Sequence, residues 1–250
     1  MLEVAGLSKR FGGFTAVNDV SFNVDQCEIL GLIGPNGSGK STIFNMLSGM
    51  MVPTAGSIRF HGSEIAGQPP HLIINRGIGR TFQIPRPFRR LSLFDNVVLA
   101  GYYGQGQPSR ARAFETAERV LALVGLPSDR STPVSGLGAA GLKKLELAKA
   151  LATNPTLLLA DESLGGLDEA ETGQAAEMLR RIRGELGISI IWVEHIMGVL
   201  MRVVDRVIVL DHGEKIAEGS PAAVAADPRV VEVYLGTDAD AVQAMAGRRA

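Results

Sequence analysis

The chain of 250 residues has a single cysteine, Cys27. One thiol closes no internal disulfide and fits a reducing compartment. Its place just before Glu28 predicts a packing role near the apolar strand that follows. An excess of one charge is also missing: 25 Lys and Arg stand against 26 Asp and Glu, a formal net charge of −1. That balance supplies no general attraction to nucleic acid. No apolar run approaches the roughly 18–20 residues a helix needs to cross a bilayer; Ile188-Ser189-Ile190-Ile191-Trp192-Val193 is strand-sized. Met1-Leu2-Glu3-Val4-Ala5 carries an early acid and no sustained apolar run, so no secretory leader is expected. These absences predict a chain soluble by itself, with any membrane role reached through a partner. With 46% hydrophobic and 20% charged residues, the chain suits one large domain or a domain with a subdomain.

What is present is concentrated in residues 34–41, Gly34-Pro35-Asn36-Gly37-Ser38-Gly39-Lys40-Ser41. This is G-x-x-x-x-G-K-[ST], a phosphate-binding loop. Its glycines let backbone N–H groups turn inward around phosphate oxygens. Lys40 is placed to bridge the β- and γ-phosphates of a nucleotide, and Ser41 to hold Mg²⁺. The apolar strand Glu28-Ile29-Leu30-Gly31-Leu32-Ile33 enters the loop. A helix from about Ser41 to Met50 leaves it, with the positive end of its dipole toward the phosphates.

Around this loop the pattern divides in three. Val20–Val24, Ser57–Phe60 after a turn at Pro53–Gly56, and Ile78–Phe82 read as strands, the last ending at Gln83. Residues 84–150 read as a helical insertion. It opens on the basic, Pro-rich Pro85-Arg86-Pro87-Phe88-Arg89-Arg90, then carries helices over Asp95–Ala100 and Ala111–Val124, split by Gly104-Gln105-Gly106-Gln107-Pro108. Strand and helix then alternate: strands at Thr156–Ala160, Ser189–Val193, Arg206–Leu210 and Glu214–Glu218, helices at Glu169–Arg183 and His195–Val203. Alternation predicts an α/β fold with a mostly parallel sheet and the nucleotide at the carboxyl ends of the strands. There is no internal repeat, and the Ala-rich tail after Gly236 is expected to be loosely ordered.

A magnesium-nucleotide hydrolase needs a second metal tether and a group that orients the attacking water. Leu157-Leu158-Leu159-Ala160-Asp161-Glu162 supplies both at the end of a buried strand. Asp161 is placed to hold Mg²⁺ through water, and Glu162 to polarise the nucleophile. At Gln83 a neutral amide can contact Mg²⁺ or water without adding charge. His195, just beyond the strand ending at Val193, is a candidate donor to the γ-phosphate. Taken singly, two solvated acids at a strand end and a surface Gln or His would be the blander readings; the phosphate loop upstream tips the balance.

The order of phosphate loop, Gln83, Asp161-Glu162, Gly166-Leu167-Asp168 and His195 resembles the ATP-binding subunit of ABC transporters, over the chain to about Gly236. The resemblance implies a P-loop NTPase with an ABC-type ATPase core and an N-terminal antiparallel β subdomain (1–83 and 151–236), a helical subdomain at about 84–150, and a tail at 237–250. It implies ATP and Mg²⁺ as ligands, with Gly34 to Ser41 and Thr42 holding phosphate and Ser41, Gln83 and Asp161 the metal. Phe11, 29 residues before Lys40, occupies the place of an adenine-stacking aromatic. The same resemblance implies that Gly166-Leu167-Asp168 is the loop that communicates between two subunits and that His195 is the switch histidine. Lys9-Arg10-Phe11-Gly12-Gly13, Arg80-Thr81-Phe82-Gln83, Glu194-His195-Ile196-Met197, Ile216–Pro221, Asp227-Pro228 and Val233-Tyr234-Leu235-Gly236 are similar to the longer of the two ATPases of branched-chain amino acid importers. That implies a second ABC ATPase subunit, two transmembrane permease subunits, an indirect solute-binding protein, no nucleic acid, and a peripheral position on the cytoplasmic face of the membrane. Urea, amides and aromatic acids stay open as other solutes.

The family signature, Leu-Ser-Gly-Gly-Gln or similar, should precede the helix Lys143–Leu151. Without a gap it falls on Leu137-Gly138-Ala139-Ala140-Gly141. Gly138 stands for serine and Ala140 for glycine; Ser135-Gly136-Leu137-Gly138 is the shifted alternative. Ser163 also replaces the proline that commonly follows the catalytic glutamate. In this family two subunits face head to tail, so the altered signature would weaken the partner's ATP site and leave this chain's own site intact. An asymmetric heterodimer is therefore expected; a homodimer, or a pair in which the signature backbone suffices and both sites work, stays open. A nucleotide-binding regulatory subunit that hydrolyses little remains the alternative of another class. The sequence contains no Asn/Thr-Lys-x-Asp guanine-reading motif and no heptad array, which argues against a GTPase and against a ribosome- or nucleic-acid-directed ATPase.

Overall fold

The computed structural model describes residues 1–104, 109–161, 169–194 and 197–235. In chain order its elements are β1 (Leu2–Phe11), β2 (Phe14–Val24), β3 (Ile29–Ile33), α1 (Lys40–Leu47), β4 (Ala55–Phe60), β5 (Ser63–Glu64), α2 (Pro70–Asn75) and β6 (Ile78–Arg80). There follow α3 (Leu93–Gly104), α4 (Arg110–Leu123), α5 (Ala139–Ala152), β7 (Leu157–Asp161) and α6 (Glu169–Leu186). The last are β8 (Ser189–Val193), α7 (Met197–Val203), β9 (Arg206–Asp211), β10 (Glu214–Gly219), α8 (Pro221–Ala225) and α9 (Pro228–Leu235). None of the helices is long and apolar enough to cross a membrane among the described residues.

The chain forms two compact units. The first joins Met1–Pro69 to the chain from Ser189 onward. Here β1 pairs antiparallel with both β2 and β4, and β4 with β5. Leu2, Val4 and Leu7 of β1 and Val20, Phe22 and Val24 of β2 turn inward, the alternation of a sheet with one wet face. In the same unit β3 runs parallel to β8 on one side and β9 on the other, and β10 closes antiparallel on β9. All five residues of β3 and all five of β8 are buried, which only a strand covered on both faces requires. Gly31 has no room for a side chain: a Cβ would stand 2.9 Å from Leu200 of α7.

The second unit, Pro70–Ile188, holds β6 parallel to β7 and the helices α3, α4 and α5 packed on one another. Phe94 and Phe114 meet edge to face at 5.4 Å, with Arg130 over both rings. Several local expectations change. Helix α3 runs on to Gly104 instead of ending before it, because Gly101 and Gly104 let it close on the end of α5; a Cβ at Gly104 would stand 2.6 Å from Thr153. β6 stops at Arg80, short of Gln83, since the Thr81 hydroxyl, in place of a carbonyl, accepts the Asp161 N–H at 3.0 Å. Cys27 is not part of the core. It is exposed with φ 57°, the left-handed residue of the turn after β2.

Candidate nucleotide site

β3 delivers the chain to the phosphate loop at the carboxyl end of a parallel strand, where α/β sheets bind ligands. Two positions there demand glycine. Gly34 has φ 148°, and a Cβ would stand 2.1 Å from the Leu210 carbonyl oxygen. Gly39 has φ 104°, with the Ala16 carbonyl oxygen 2.7 Å from a Cβ. The loop is thus wedged between β2 and the β9–β10 turn. Gly213 N–H donates to Ser38 O at 3.2 Å, and Asn18 N–H to Gly213 O at 2.8 Å. From the C-terminal side, the buried Tyr234 of α9 hydrogen-bonds the Gly34 backbone, and burial pushes its phenol well above the ordinary value.

Lys40 opens α1 and is buried. Its ammonium folds back on the loop, donating to Gly34 O at 2.7 Å, Pro35 O at 2.9 Å and Ser38 Oγ at 3.4 Å. The helix it begins has no side-chain cap and no acid in its first turn. Its leading N–H groups and a buried cation therefore converge on one end of a short helix, an arrangement whose complement is an anion. Asn36, Gly37 and Ser41 are exposed and Pro35 and Thr42 half-buried, so the outer wall of the loop meets solvent. Phe11 ends β1 opposite Phe14; the residue is 47% exposed, with the Lys9 ammonium 5.3 Å from its ring centroid.

The second unit carries Asp161 and Gln83. Asp161 ends β7 and is buried. Its carboxylate accepts a hydrogen bond from Arg80 Nη2 at 2.9 Å, with side-chain exposures of 10% for Arg80 and 8% for Asp161. Burial lowers the Arg80 guanidinium from its ordinary value, while the hydrogen bond and charge of Asp161 oppose that fall. Gln83 lies three residues past β6, exposed. Gly138 is the N-cap of α5, extended at φ −73° and ψ −177°, and Ala139, Ala140 and Gly141 form the first turn. Ser135 sits in a separate 3₁₀ turn, Val134–Gly136. Glu162, Ser163, Asp168 and His195 lie outside the described residues.

A protein-family model for ABC transporters matches residues 17–165, and one for the branched-chain amino acid ATP-binding cassette transporter matches residues 214–240. The chain belongs to the ABC transporter ATP-binding family. It is 34% identical to the high-affinity branched-chain amino acid transport ATP-binding protein BraF of Pseudomonas aeruginosa, over 94% of this chain and 98% of that one. Among solved structures it resembles the ADP conformation of MJ1267, an ATP-binding cassette of an ABC transporter, with a TM-score of 0.84 and 28% identity over 94% of this chain and 98% of that one. It also resembles a dimeric post-hydrolysis state of the cassette MJ0796 bound to ADP and Pi, with a TM-score of 0.78 and 25% identity over 88% of this chain and 98% of that one. The fold is therefore the ABC-type P-loop ATPase.

The described residues contain no cluster of three or more His, Cys, Asp or Glu that would cage a metal alone. Taken separately, the Asp161 carboxylate and the Ser41 hydroxyl are hard oxygen donors of the kind Mg²⁺ accepts beside water and phosphate.

The cassette also contains a clasp that motif reading passed over. Past Gln83 the chain is irregular, yet its backbone is tied down. Phe88 N–H donates to Asn96 Oδ1 at 2.8 Å, and Asn96 Nδ2 returns bonds to Phe88 O at 3.1 Å and Ser92 O at 2.9 Å. Glu146 of α5 accepts from Arg86 N–H at 3.5 Å and from Lys149 at 2.9 Å, and Lys149 donates to Arg86 O at 3.1 Å. Asn96 and Glu146 are both buried. The tethered segment turns Ile84 and Phe88 outward, 71% and 57% exposed, beside exposed Arg86, Arg89 and Arg90. The signal available in sequence was one carboxylate set among the apolar residues Leu145, Leu147 and Ala148 of a helix.

Proposed function

We propose that this ABC ATPase energises the import of branched-chain amino acids, and that ATP is bound at Gly34–Thr42 and hydrolysed there. The observation that carries the catalytic half is the buried Lys40 folded onto its own loop at the uncapped start of α1. A phosphate oxygen offers that ammonium a charge-assisted bond in place of neutral carbonyls. The transport half rests on the family match at residues 214–240 and on the names of relatives such as BraF. In this reading Phe11 stacks on adenine, and Lys40 and the α1 amides hold the phosphates. Ser41, Asp161 and Gln83 hold Mg²⁺, which supplies charge neutralisation of the phosphates when bound. Glu162 polarises the attacking water, His195 donates to the γ-phosphate, and Asp168 lies in the loop between subunits.

The working assembly is two ATPase subunits head to tail beneath two permease subunits, at the cytoplasmic face of the membrane. A solute-binding protein supplies the permeases. The dimeric MJ0796 cassette supports a pair of ATPase subunits. Ile84, Phe88 and the neighbouring arginines form the surface offered to a permease. Residues 137–141 face the partner's ATP. Because Gly138 has no hydroxyl, hydrolysis takes place mainly at this chain's own loop in an asymmetric heterodimer.

The test is ATP turnover of this chain alone and with its partner ATPase and permeases, with Lys40→Ala and Glu162→Gln beside it. Turnover that requires the mixture and is lost in both variants is the expected result. Equal turnover by the chain alone overturns the asymmetric assembly. ATP binding without turnover, alone or assembled, favours the second reading, a regulatory subunit, for which Gly138 is the motivating observation.

A further inference from the structure

Arg80 has no part in the chemistry above, yet its charge is placed on the carboxylate meant for the metal. β6 and β7 run parallel with Arg80 in register with Leu159, so the two strand ends emerge side by side. Arg80 Nη2 reaches Asp161 Oδ2 at 2.9 Å, both side chains largely buried. Thr81 fixes the same residue from behind, its hydroxyl accepting Asp161 N–H at 3.0 Å while its own N–H donates to Leu159 O at 3.0 Å. The guanidinium also lies 5.2 Å from the centroid of the Phe82 ring, which gives the cation a second resting place on an aromatic face.

A buried carboxylate needs a counter-charge, and an isolated one is expensive. Arginine is the side chain that keeps its charge under burial. Before a metal arrives, Arg80 therefore places a positive charge at Asp161. A divalent cation drawn to the same carboxylate meets that charge and must share or displace it.

We infer that Arg80 is an internal counter-ion exchanged for the divalent cation: it positions Asp161 in the nucleotide-free protein and sets the threshold at which metal binds. This rests on the nucleotide-site reading given above. Exchange is reciprocal by linkage: whatever affinity the metal loses to Arg80 is the extent to which metal loosens Arg80.

The test uses the full chain with ADP and measures Mn²⁺ affinity by electron paramagnetic resonance in wild type, Arg80→Met and Arg80→Lys, each checked by thermal melting. Arg80→Met is expected to tighten Mn²⁺ roughly fivefold or more, the usual lower range of a coupling between two sites. Arg80→Lys, which keeps the charge, should stay near wild type. In the wild type, the guanidinium nitrogen resonance of Arg80, assigned by its loss in Arg80→Lys, should move when Mg²⁺ joins ADP and stay put with ADP alone. That second measurement decides the matter if Arg80→Met does not fold. Unchanged or weaker Mn²⁺ binding in Arg80→Met, or a resonance indifferent to Mg²⁺, overturns the exchange and leaves the nucleotide site standing. Wild-type protein that binds neither ADP nor Mn²⁺ overturns the nucleotide-site reading and the exchange with it.

Discussion

Restoring a serine at Gly138 separates the two ATP sites of the proposed pair. The position accepts it without strain: φ −73° and ψ −177° are extended values open to any residue, and a Cβ would meet nothing within 4 Å. Gly138 is an N-cap without a side-chain bond. A serine hydroxyl there is worth a few tenths of a kcal/mol as a cap. Removing glycine freedom from the unfolded chain adds roughly 0.4–1 kcal/mol. Gly138→Ser should therefore melt about 2–4 °C higher. The larger effect belongs to the partner's ATP. A hydroxyl on the γ-phosphate is a charge-assisted hydrogen bond of about 1.5–3 kcal/mol, roughly tenfold to a hundredfold in a rate. The background for the assay is Glu162→Gln, which silences this chain's own loop and leaves turnover at the partner's. In the assembled transporter, Gly138→Ser with Glu162→Gln should raise residual turnover at least tenfold over Glu162→Gln alone. Turnover unchanged within about twofold, with the expected gain in melting temperature, would refute the view that the missing hydroxyl is what disables that site.

Two other predictions concern stability. Asn96→Ala removes three hydrogen bonds and strips partners from the Phe88 N–H and carbonyl. At about 1 kcal/mol each the loss is about 2–3 kcal/mol, which thermal melting should register as a fall of roughly 5–10 °C; a variant that melts with the wild type would mean solvent replaces the clasp. Just before α9, hydrogen bonds from the Arg229 side chain and backbone hold the half-buried Asp227 carboxyl below its ordinary value. A lowered folded value means the pair stabilises above the ordinary carboxylate range and loses that contribution as the pH falls through the folded value. Carboxyl titration by NMR should show Asp227 returning toward the ordinary value in Arg229→Ala; an unmoved titration would discount the pair.

The strand, loop and helix around Gly34–Ser41 were legible because they are local. Strand, loop and helix follow one another within residues 29–47, and the chemistry of each residue type limits what such a run can do. β8 fell on Ser189–Val193 as expected, because an unbroken apolar stretch of strand length has few other fates. The family could be named for the same reason, from short motifs in order along the chain.

What the tertiary structure decided lies between residues far apart in sequence. Arg80 meets Asp161 only because β6 and β7 pair in a particular parallel register. Asn96 and Glu146 hold Phe88 and Arg86 only because α3 and α5 pack beside that segment. Gly104 stays helical because a neighbouring helix leaves no room for a side chain, against its own local preference for a loop. Cys27 lies outside the core because the turn into β3 needs a left-handed residue there. Periodicity and motif report what a residue prefers among its immediate neighbours. Counter-charges, clasps and close approaches depend on which surfaces meet, and that is set by packing.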